Sequence, residues 1–134
     1  MPYITLADLQ ERFSAEEILS LADDGTGQID QDVINRAAED ASGEIDGYVA
    51  AGGYTVPMLT VPRIIRAYAC DIARYRMYDD AATEQVRKRY EDAIKFLRLL
   101  AEGKVKLGLD EDDVTTAGSA QFTGKPGVMP GGGW

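Results

Sequence analysis

The sequence has no histidine and only one cysteine, Cys70. A lone cysteine forms no disulfide within its own chain, and without histidine the usual zinc and iron ligand sets are absent. No apolar run approaches the roughly 18 residues that span a bilayer, and residues 1–4 lack the basic and apolar parts of a signal peptide. We therefore expect a chain without metal or cofactor that stays in a cytosol-like compartment and enters no membrane.

The groups that usually carry out catalysis are also scarce. Before residue 103 the only serines are Ser14, Ser20 and Ser42, and none lies in a nucleophile-elbow pattern. No Walker loop or dinucleotide-binding fingerprint is present. Carboxylates are abundant, but on an acidic helical surface they are more often solvated than paired for acid–base chemistry. The sequence predicts that the protein is not an enzyme and has no catalytic residue.

One loop, residues 24–30, resembles the calcium-binding loop of an EF-hand. When the loop is aligned on Gly27, the first ligand position falls on Ala22 and the last on Val33. Two of the strongest calcium ligands are therefore missing. The favoured interpretation is an Asp/Gly turn followed by a helix cap, and calcium binding is the disfavoured alternative.

Charge is distributed unevenly along the chain. Residues 1–51 hold 12 acidic and 2 basic side chains (net −10), residues 52–102 hold 7 and 9 (net +2), and residues 103–134 hold 4 and 3 (net −1), which gives the total of −9. The acidic surplus disfavours nonspecific binding to nucleic acid, which depends on lysine and arginine. An acidic half and a mildly basic half predict attraction between neighbouring copies.

Apolar residues recur at helical spacing in five segments that turn residues separate. The predicted helices run from Leu6 to about Phe13, from a Ser14/Glu17 capping box to Leu21, from Asp30 to about Ala51, from Pro62 to about Tyr78, and from Thr83 to Gly103. The sequence thus predicts an all-α protein. Two short N-terminal helices and three longer ones form a small antiparallel bundle, followed by an extended glycine-rich C-terminal tail.

The domain boundary is predicted near residue 103. Residues 1–103 form the helical domain and residues 104–134 the tail, which together with Gly103 holds eight of the 14 glycines. Within the tail, Val105, Leu107 and Leu109 alternate with polar or small residues. This alternation predicts one short strand.

Two helical faces are candidates for contact with another protein. Arg63, Arg66 and Arg74 lie opposite the core face of the fourth helix, with Met77 and small residues between them. Either this helix is covered on both sides within the monomer, or this face meets another subunit.

On the third helix Gly43 and Gly47 stand four residues apart, and each lowers helix stability by about 1 kcal/mol relative to alanine. Another backbone approaching closely would offset that cost; the alternative is a tolerated weakness.

Two further elements complete the set of candidates. The basic trio 87–89 begins the fifth helix, where a solvent face with pairs to Glu91 and Asp92 is favoured over a contact. Trp134 ends the tail, and an aromatic residue there gains little unless the tail orders on a partner. The candidate subunit or partner interface consists of Gly43, Gly47, Arg63, Arg66, Arg74, Met77, Arg87, Lys88, Arg89 and Trp134.

Several segments, in collinear order over about residues 3–109, carry a resemblance to a known family. They are Tyr3-Ile4-Thr5-Leu6-Ala7-Asp8-Leu9 with Arg12-Phe13, Ala41-Ser42-Gly43-Glu44-Ile45-Asp46-Gly47-Tyr48, Val61-Pro62, Ala69-Cys70-Asp71-Ile72-Ala73-Arg74-Tyr75-Arg76-Met77-Tyr78, Val86-Arg87-Lys88-Arg89-Tyr90-Glu91-Asp92-Ala93 with Phe96-Leu97, Gly103, and Leu107-Gly108-Leu109. In this order and spacing they resemble the phage Mu-like head-tail connector family, also called neck or adaptor proteins.

The resemblance implies a virion structural protein without chemistry. It would dock beneath the portal as a ring, commonly of twelve subunits, and join the DNA-filled head to the tail. The implied partners are copies of itself, the portal protein, a tail-completion or tail-terminator protein, and DNA that passes through the channel without specific binding. The implied locations are the virion neck and, during assembly, the host cytoplasm. The alternative function is a small acidic host-directed binding or regulatory module that mimics nucleic acid.

Overall fold

The computed structural model describes residues 2–108, and within this part of the chain every regular element is helical. The elements are α1 (Leu6–Arg12), α2 (Ala15–Ala22), α3 (Gln31–Ala51), α4 (Arg63–Tyr78) and α5 (Glu84–Ala101), with a short 3-10 turn at Asp79–Ala81. The predicted all-α class is confirmed, as is the order of two short helices before three longer ones. Leu109 and the rest of the tail, including Trp134, lie outside the described residues.

The helix starts follow local capping chemistry. At α1, the Thr5 hydroxyl accepts from the Asp8 amide (3.3 Å) and the Asp8 carboxylate accepts from the Thr5 amide (2.9 Å), which makes a complete capping box. At α2, Ser14 accepts from the Glu17 amide (3.1 Å), but the Glu17 carboxylate binds Arg74 instead of the Ser14 amide. The predicted capping box at Ser14 is therefore only half formed, because a charged guanidinium is the stronger partner for a carboxylate.

The three long helices run up, down and up around one core. Tyr68 contacts Phe96 and Tyr75 stacks on Tyr90, so α4 and α5 are antiparallel. Gly52, just after α3, lies against the carbonyl of Leu100 near the end of α5, so these two helices end side by side. Side chains that are fully buried between these helices include Ile45, Val49, Ile65, Ile72, Leu97 and Leu100. These helices bury the apolar faces that helical spacing predicts, except at Ile64, which the spacing places on the core face of α4 but which is 41% exposed.

The N-terminal segment and the two short helices cover the other side of α4. Ile4, Leu9 and Ile18 are almost completely buried in the same core. Ala69, Cys70 and Ala73 of α4 have no exposed surface. The sequence left two interpretations of α4 open. For its middle turns the structure shows the first: α4 is covered on both sides within the monomer.

The strand predicted after α5 is not formed by residues 105–108. Val105 and Leu107 instead pack against the core, and the Leu107 amide donates to the Tyr54 hydroxyl (3.1 Å). Because residues 2–108 contain no strand, this segment has no row of backbone groups to pair with. Leu109, the third residue of the predicted strand, lies outside the described residues.

Candidate functional site

A polar network built on Arg74 joins α4 to α2. Its Nε and Nη2 atoms donate to the two carboxylate oxygens of Glu17 (2.8 and 3.2 Å), and the Tyr78 hydroxyl donates to Glu17 as well (2.8 Å). The Arg74 guanidinium also lies 4.2 Å from the centroid of the Phe13 ring. Burial would raise the pKa of Glu17, but these hydrogen bonds and the positive charge lower it overall. Arg74, predicted as an interface residue, thus has its charge satisfied inside the chain.

A second network centres on Glu44 of α3. Glu44 accepts from Arg76 Nη2 (2.8 Å) and from the Tyr90 hydroxyl (3.0 Å), and the Tyr90 ring stacks on Tyr75 with centroids 4.1 Å apart. Burial and the hydrogen bond to Glu44 raise the pKa of Tyr90 to about 12. The network holds all three long helices together. No local sequence pattern predicts it, because its members lie far apart along the chain.

Asp71 is a buried carboxylate that the sequence pattern did not single out. It lies on α4 with only 8% of the residue exposed, and Arg89 of α5 is 3.3 Å away. Burial raises the pKa of Asp71 despite the opposing charges of Arg89, Arg74 and Arg12. Of the predicted basic trio, Arg89 therefore contacts its own bundle, and Lys88 pairs with Asp92 (3.5 Å) as expected for a salt-bridged face. Arg87 is exposed.

Tyr3 fastens the N-terminal segment and the loop before α4 to α3. Its amide donates to the Ser42 hydroxyl (2.8 Å), its own hydroxyl donates to Asp46, and the same hydroxyl accepts from the Met58 amide (2.9 Å). Met58 is buried as a result. The loop of residues 53–62 is thus held at a fixed place beside α3.

The remaining predicted interface residues of the bundle lie mostly at the surface. Arg63 and Arg66 are exposed on the first turns of α4, and neither forms an ion pair with another residue of the 2–108 segment. Met77 is half-buried against the core. Gly43 and Gly47 are exposed, and a Cβ added at either would meet no atom within 4 Å. Packing within the bundle therefore does not require glycine at these two positions.

Two exposed apolar side chains were not predicted. Leu59 is 89% exposed and Ile64 is 41% exposed, and they are the only large apolar residues classed as exposed among residues 2–108. Ile64 adjoins the exposed Arg63 in the sequence and Leu59 precedes it by four positions, so exposed apolar and basic side chains occur together around the start of α4. Leu59 lies in the loop between Pro57 and Pro62, where helical periodicity does not apply. Ile64 was predicted on the core face of α4, and its exposure corrects that prediction.

The remaining ionisable groups are arranged for structure. In the turn after α2, Asp23 accepts from the amides of Gly25 (2.7 Å) and Gly27 (3.1 Å), and Asp24 accepts from the Thr26 amide (2.8 Å). These bonds fit the predicted Asp/Gly turn.

Within residues 2–108 there is no cluster of three or more side chains suited to holding a metal ion, and none of the helices described there is long and apolar enough to cross a membrane. Burial raises the pKa of the Cys70 thiol to about 12.

The described residues define a small all-α protein whose buried side-chain polar groups mostly bind one another, Arg74 Nη1 being a buried atom without a partner among them, and whose unpaired arginines Arg63 and Arg66 lie at its surface. Its sequence matches the family model described as "Bacteriophage Mu, Gp36" over residues 3–124. The chain therefore belongs to this Mu-like phage family, which confirms the family resemblance of the sequence.

Two curated relatives agree with this assignment. The chain is 44% identical over 87 residues to the Mu-like prophage FluMu protein gp36 of Haemophilus influenzae, a match that covers 65% of this chain and 61% of that protein. It is 32% identical over 112 residues to gene product J of Escherichia phage Mu, covering 82% of this chain and 79% of the phage protein. The chain thus spans less than two thirds of the Haemophilus protein and most of the Mu protein.

Proposed function

We propose that the protein is a head-tail connector subunit of a Mu-like phage or prophage, assembling as a ring below the portal. The observation that carries the proposal is the family match, which takes in the whole described bundle from residue 3 onward. The connector role itself comes from the collinear segments that resemble the connector family. Its partners in this proposal are sister copies, the portal protein and a tail-completion or tail-terminator protein.

The charge distribution of the bundle supports a role in assembly. Arg74, Arg76 and Arg89 are paired with carboxylates inside the chain, whereas Arg63 and Arg66 are exposed at the start of α4. The outer side of α3 is exposed and mainly acidic. A subunit with two different complementary surfaces makes heterologous contacts, and such contacts close into a ring when the rotation between copies permits.

In this proposal the protein changes no substrate, and its ionisable groups serve structure and contact. The Cys70 thiol is fully buried, and Glu17 and Glu44 are each held by an arginine and a tyrosine. The chain's net charge of −9 also suits a channel through which DNA passes, because an acidic lining repels phosphate. The protein would be located in the virion neck, and in the host cytoplasm during assembly.

Two measurements test the proposal: the number of subunits in the assembled protein, and its presence in purified phage particles. Size-exclusion chromatography with light scattering, on the protein alone and mixed with the portal protein of the same phage, should show a ring or a portal-bound complex. Purified particles should contain the protein, and deletion of its gene should leave filled heads without tails. The proposal would be wrong if the protein is a monomer that does not bind the portal protein, is absent from particles and binds a host protein. That result would favour the host-directed module.

A further inference from the structure

The patch at the start of α4 combines exposed apolar and basic side chains. Leu59 is 89% exposed and Ile64 is 41% exposed, and Arg63 and Arg66, which follow Leu59 within seven positions, are exposed as well. We call these four residues the α4 patch. Single exposed apolar residues are ordinary at protein surfaces, but here the two that occur among residues 2–108 fall within six positions of each other. Apolar residues and arginine together are typical of a protein contact.

The α4 patch is held in place from both sides. Met58, next to Leu59, is buried and donates its amide to the Tyr3 hydroxyl (2.9 Å). Ile65, next to Ile64, has no exposed surface. Because both neighbours are anchored in the core, the outward position of the two apolar side chains follows from the fold.

The outer side of α3 has complementary properties. Asp32, Glu39, Asp40, Gly43 and Gly47 are all exposed, and at 100° per residue they fall on one stripe of the helix, with Arg36 among them. Glu39 and Asp40 form no ion pair with any other residue of the 2–108 segment. The glycines add no side chain beyond the backbone there. This α3 stripe is therefore acidic at one end and shallow at the other.

We propose that the α4 patch of one copy docks on the α3 stripe of a second copy. Leu59 and Ile64 pack over Gly43 and Gly47, where the missing side chains allow close approach. Arg63 and Arg66 of the first copy then lie near Glu39 and Asp40 of the second. These two acids precede Gly43 by about 6 Å or less along the helix axis. The proposal rests on the proposed function, because it names the two surfaces by which sister subunits meet.

A second copy is the occupant that the charges favour. The α4 patch carries two arginines that form no ion pair within residues 2–108, and the stripe of the same chain carries three acids against one arginine. Since the donor and acceptor surfaces differ, each copy that docks leaves one of its own surfaces free for the next. The same pair of surfaces can then be used repeatedly around an assembly.

Cysteine cross-linking of the full chain tests the contact directly. Cys70 does not compete, because it is fully buried and burial raises its thiol pKa to about 12. We would mix Leu59→Cys with Gly43→Cys at high protein concentration and add a short bismaleimide. The mixture should give about tenfold more covalent dimer than Leu59→Cys mixed with the control Glu84→Cys, an exposed site at the start of α5. A single chain with Leu59→Cys and Gly43→Cys should give a ladder of oligomers.

Charge exchange separates a specific contact from general damage. Arg63→Glu with Arg66→Glu should abolish the excess cross-link, and adding Glu39→Lys with Asp40→Lys to the same chain should restore it. Cross-linking no greater than the Glu84→Cys control, or an exchange that restores nothing, would overturn the inference.

The same cysteine pair in purified particles distinguishes the two proposals. If the protein is present in particles but the pair gives no cross-link there or in solution, the connector role survives and this contact is wrong. If the protein is absent from particles, the connector role is wrong, whatever the cross-linking in solution shows.

Discussion

Replacing Glu17 with glutamine tests whether the Arg74 network stabilises the bundle. Glu17 accepts two hydrogen bonds from Arg74 and one from Tyr78, and the side chains of Arg74 and Glu17 are only 11% and 21% exposed. Glutamine has nearly the same shape but no charge. The substitution therefore leaves the Arg74 guanidinium partly buried without a counter-ion, while the packing of α2 against α4 changes little.

The expected loss is about 2–3 kcal/mol of unfolding free energy. Removing one partner from a fully buried ion pair costs about 3–5 kcal/mol, and the residual exposure of Glu17 and Arg74 reduces this figure through solvent screening. A domain of this size has about 5–15 kcal/mol of stability in total. The midpoint of thermal unfolding should therefore fall by about 10 °C or more.

Urea denaturation followed by far-UV circular dichroism measures this loss. Asp92→Asn is the matched control, because Lys88 and Asp92 form an ion pair that is 73% and 57% exposed and worth less than about 0.5 kcal/mol. Adding Arg74→Met to Glu17→Gln should recover about 1 kcal/mol or more relative to the sum of the single changes. Equal stability of Glu17→Gln and Asp92→Asn would refute the reasoning.

The pH dependence of the same variant gives an independent check. The folded-state pKa of Glu17 lies below its ordinary value of 4.5, so the folded state releases this proton more readily than the unfolded chain. The stabilisation by Glu17 is then fully present above about pH 5 and is lost as the pH falls through the folded pKa. The difference between wild type and Glu17→Gln should shrink below pH 4.5, and a difference that is constant down to pH 3 would contradict this assignment.

Three further predictions concern single positions. A Cβ at Gly52 would lie 2.7 Å from the Leu100 carbonyl oxygen, so Gly52→Ala should cost about 1–3 kcal/mol of unfolding free energy. Gly47→Ala, where a Cβ meets nothing within 4 Å, should gain up to about 1 kcal/mol; urea unfolding that ranks the two variants in the opposite order would contradict both. Asp71→Asn should be neutral or stabilising by about 1 kcal/mol at pH 7, because burial disfavours the charged carboxylate and its partner Arg89 is half-exposed. Thermal unfolding checks this, and a drop of more than about 2 kcal/mol would show that the Arg89 pair outweighs the burial cost.

Most of the fold could be predicted because its signals are local. The bounds of α3, α4 and α5 differ from prediction by one or two residues, since their apolar stripes and their caps at Asp30 and Thr83 are read from neighbouring positions. The strand after α5 was predicted wrongly because that prediction also used a local signal alone. Alternation is a local pattern, but a strand also needs a partner strand, and none is present among residues 2–108.

The candidate site was predicted less completely. Arg63, Arg66, Gly43 and Gly47 were placed on surfaces by the helical period, and they are exposed. Arg74 looked equivalent to Arg63 and Arg66 on the helical wheel, yet it binds Glu17, which lies 57 positions away. No periodicity carries information about a pair so distant in the chain.

By itself, the sequence determined the helical class and the family. Its lack of histidine removed the usual zinc and iron ligand sets, and its charges separated an acidic first half from a more basic middle. The tertiary structure decided which charges are free. It paired Arg74 with Glu17, Arg76 with Glu44 and Arg89 with Asp71, and it left Leu59 and Arg63 exposed to solvent. The physical reason is that helical periodicity fixes the direction of each side chain around its own axis, whereas the partner it meets depends on how separate helices pack.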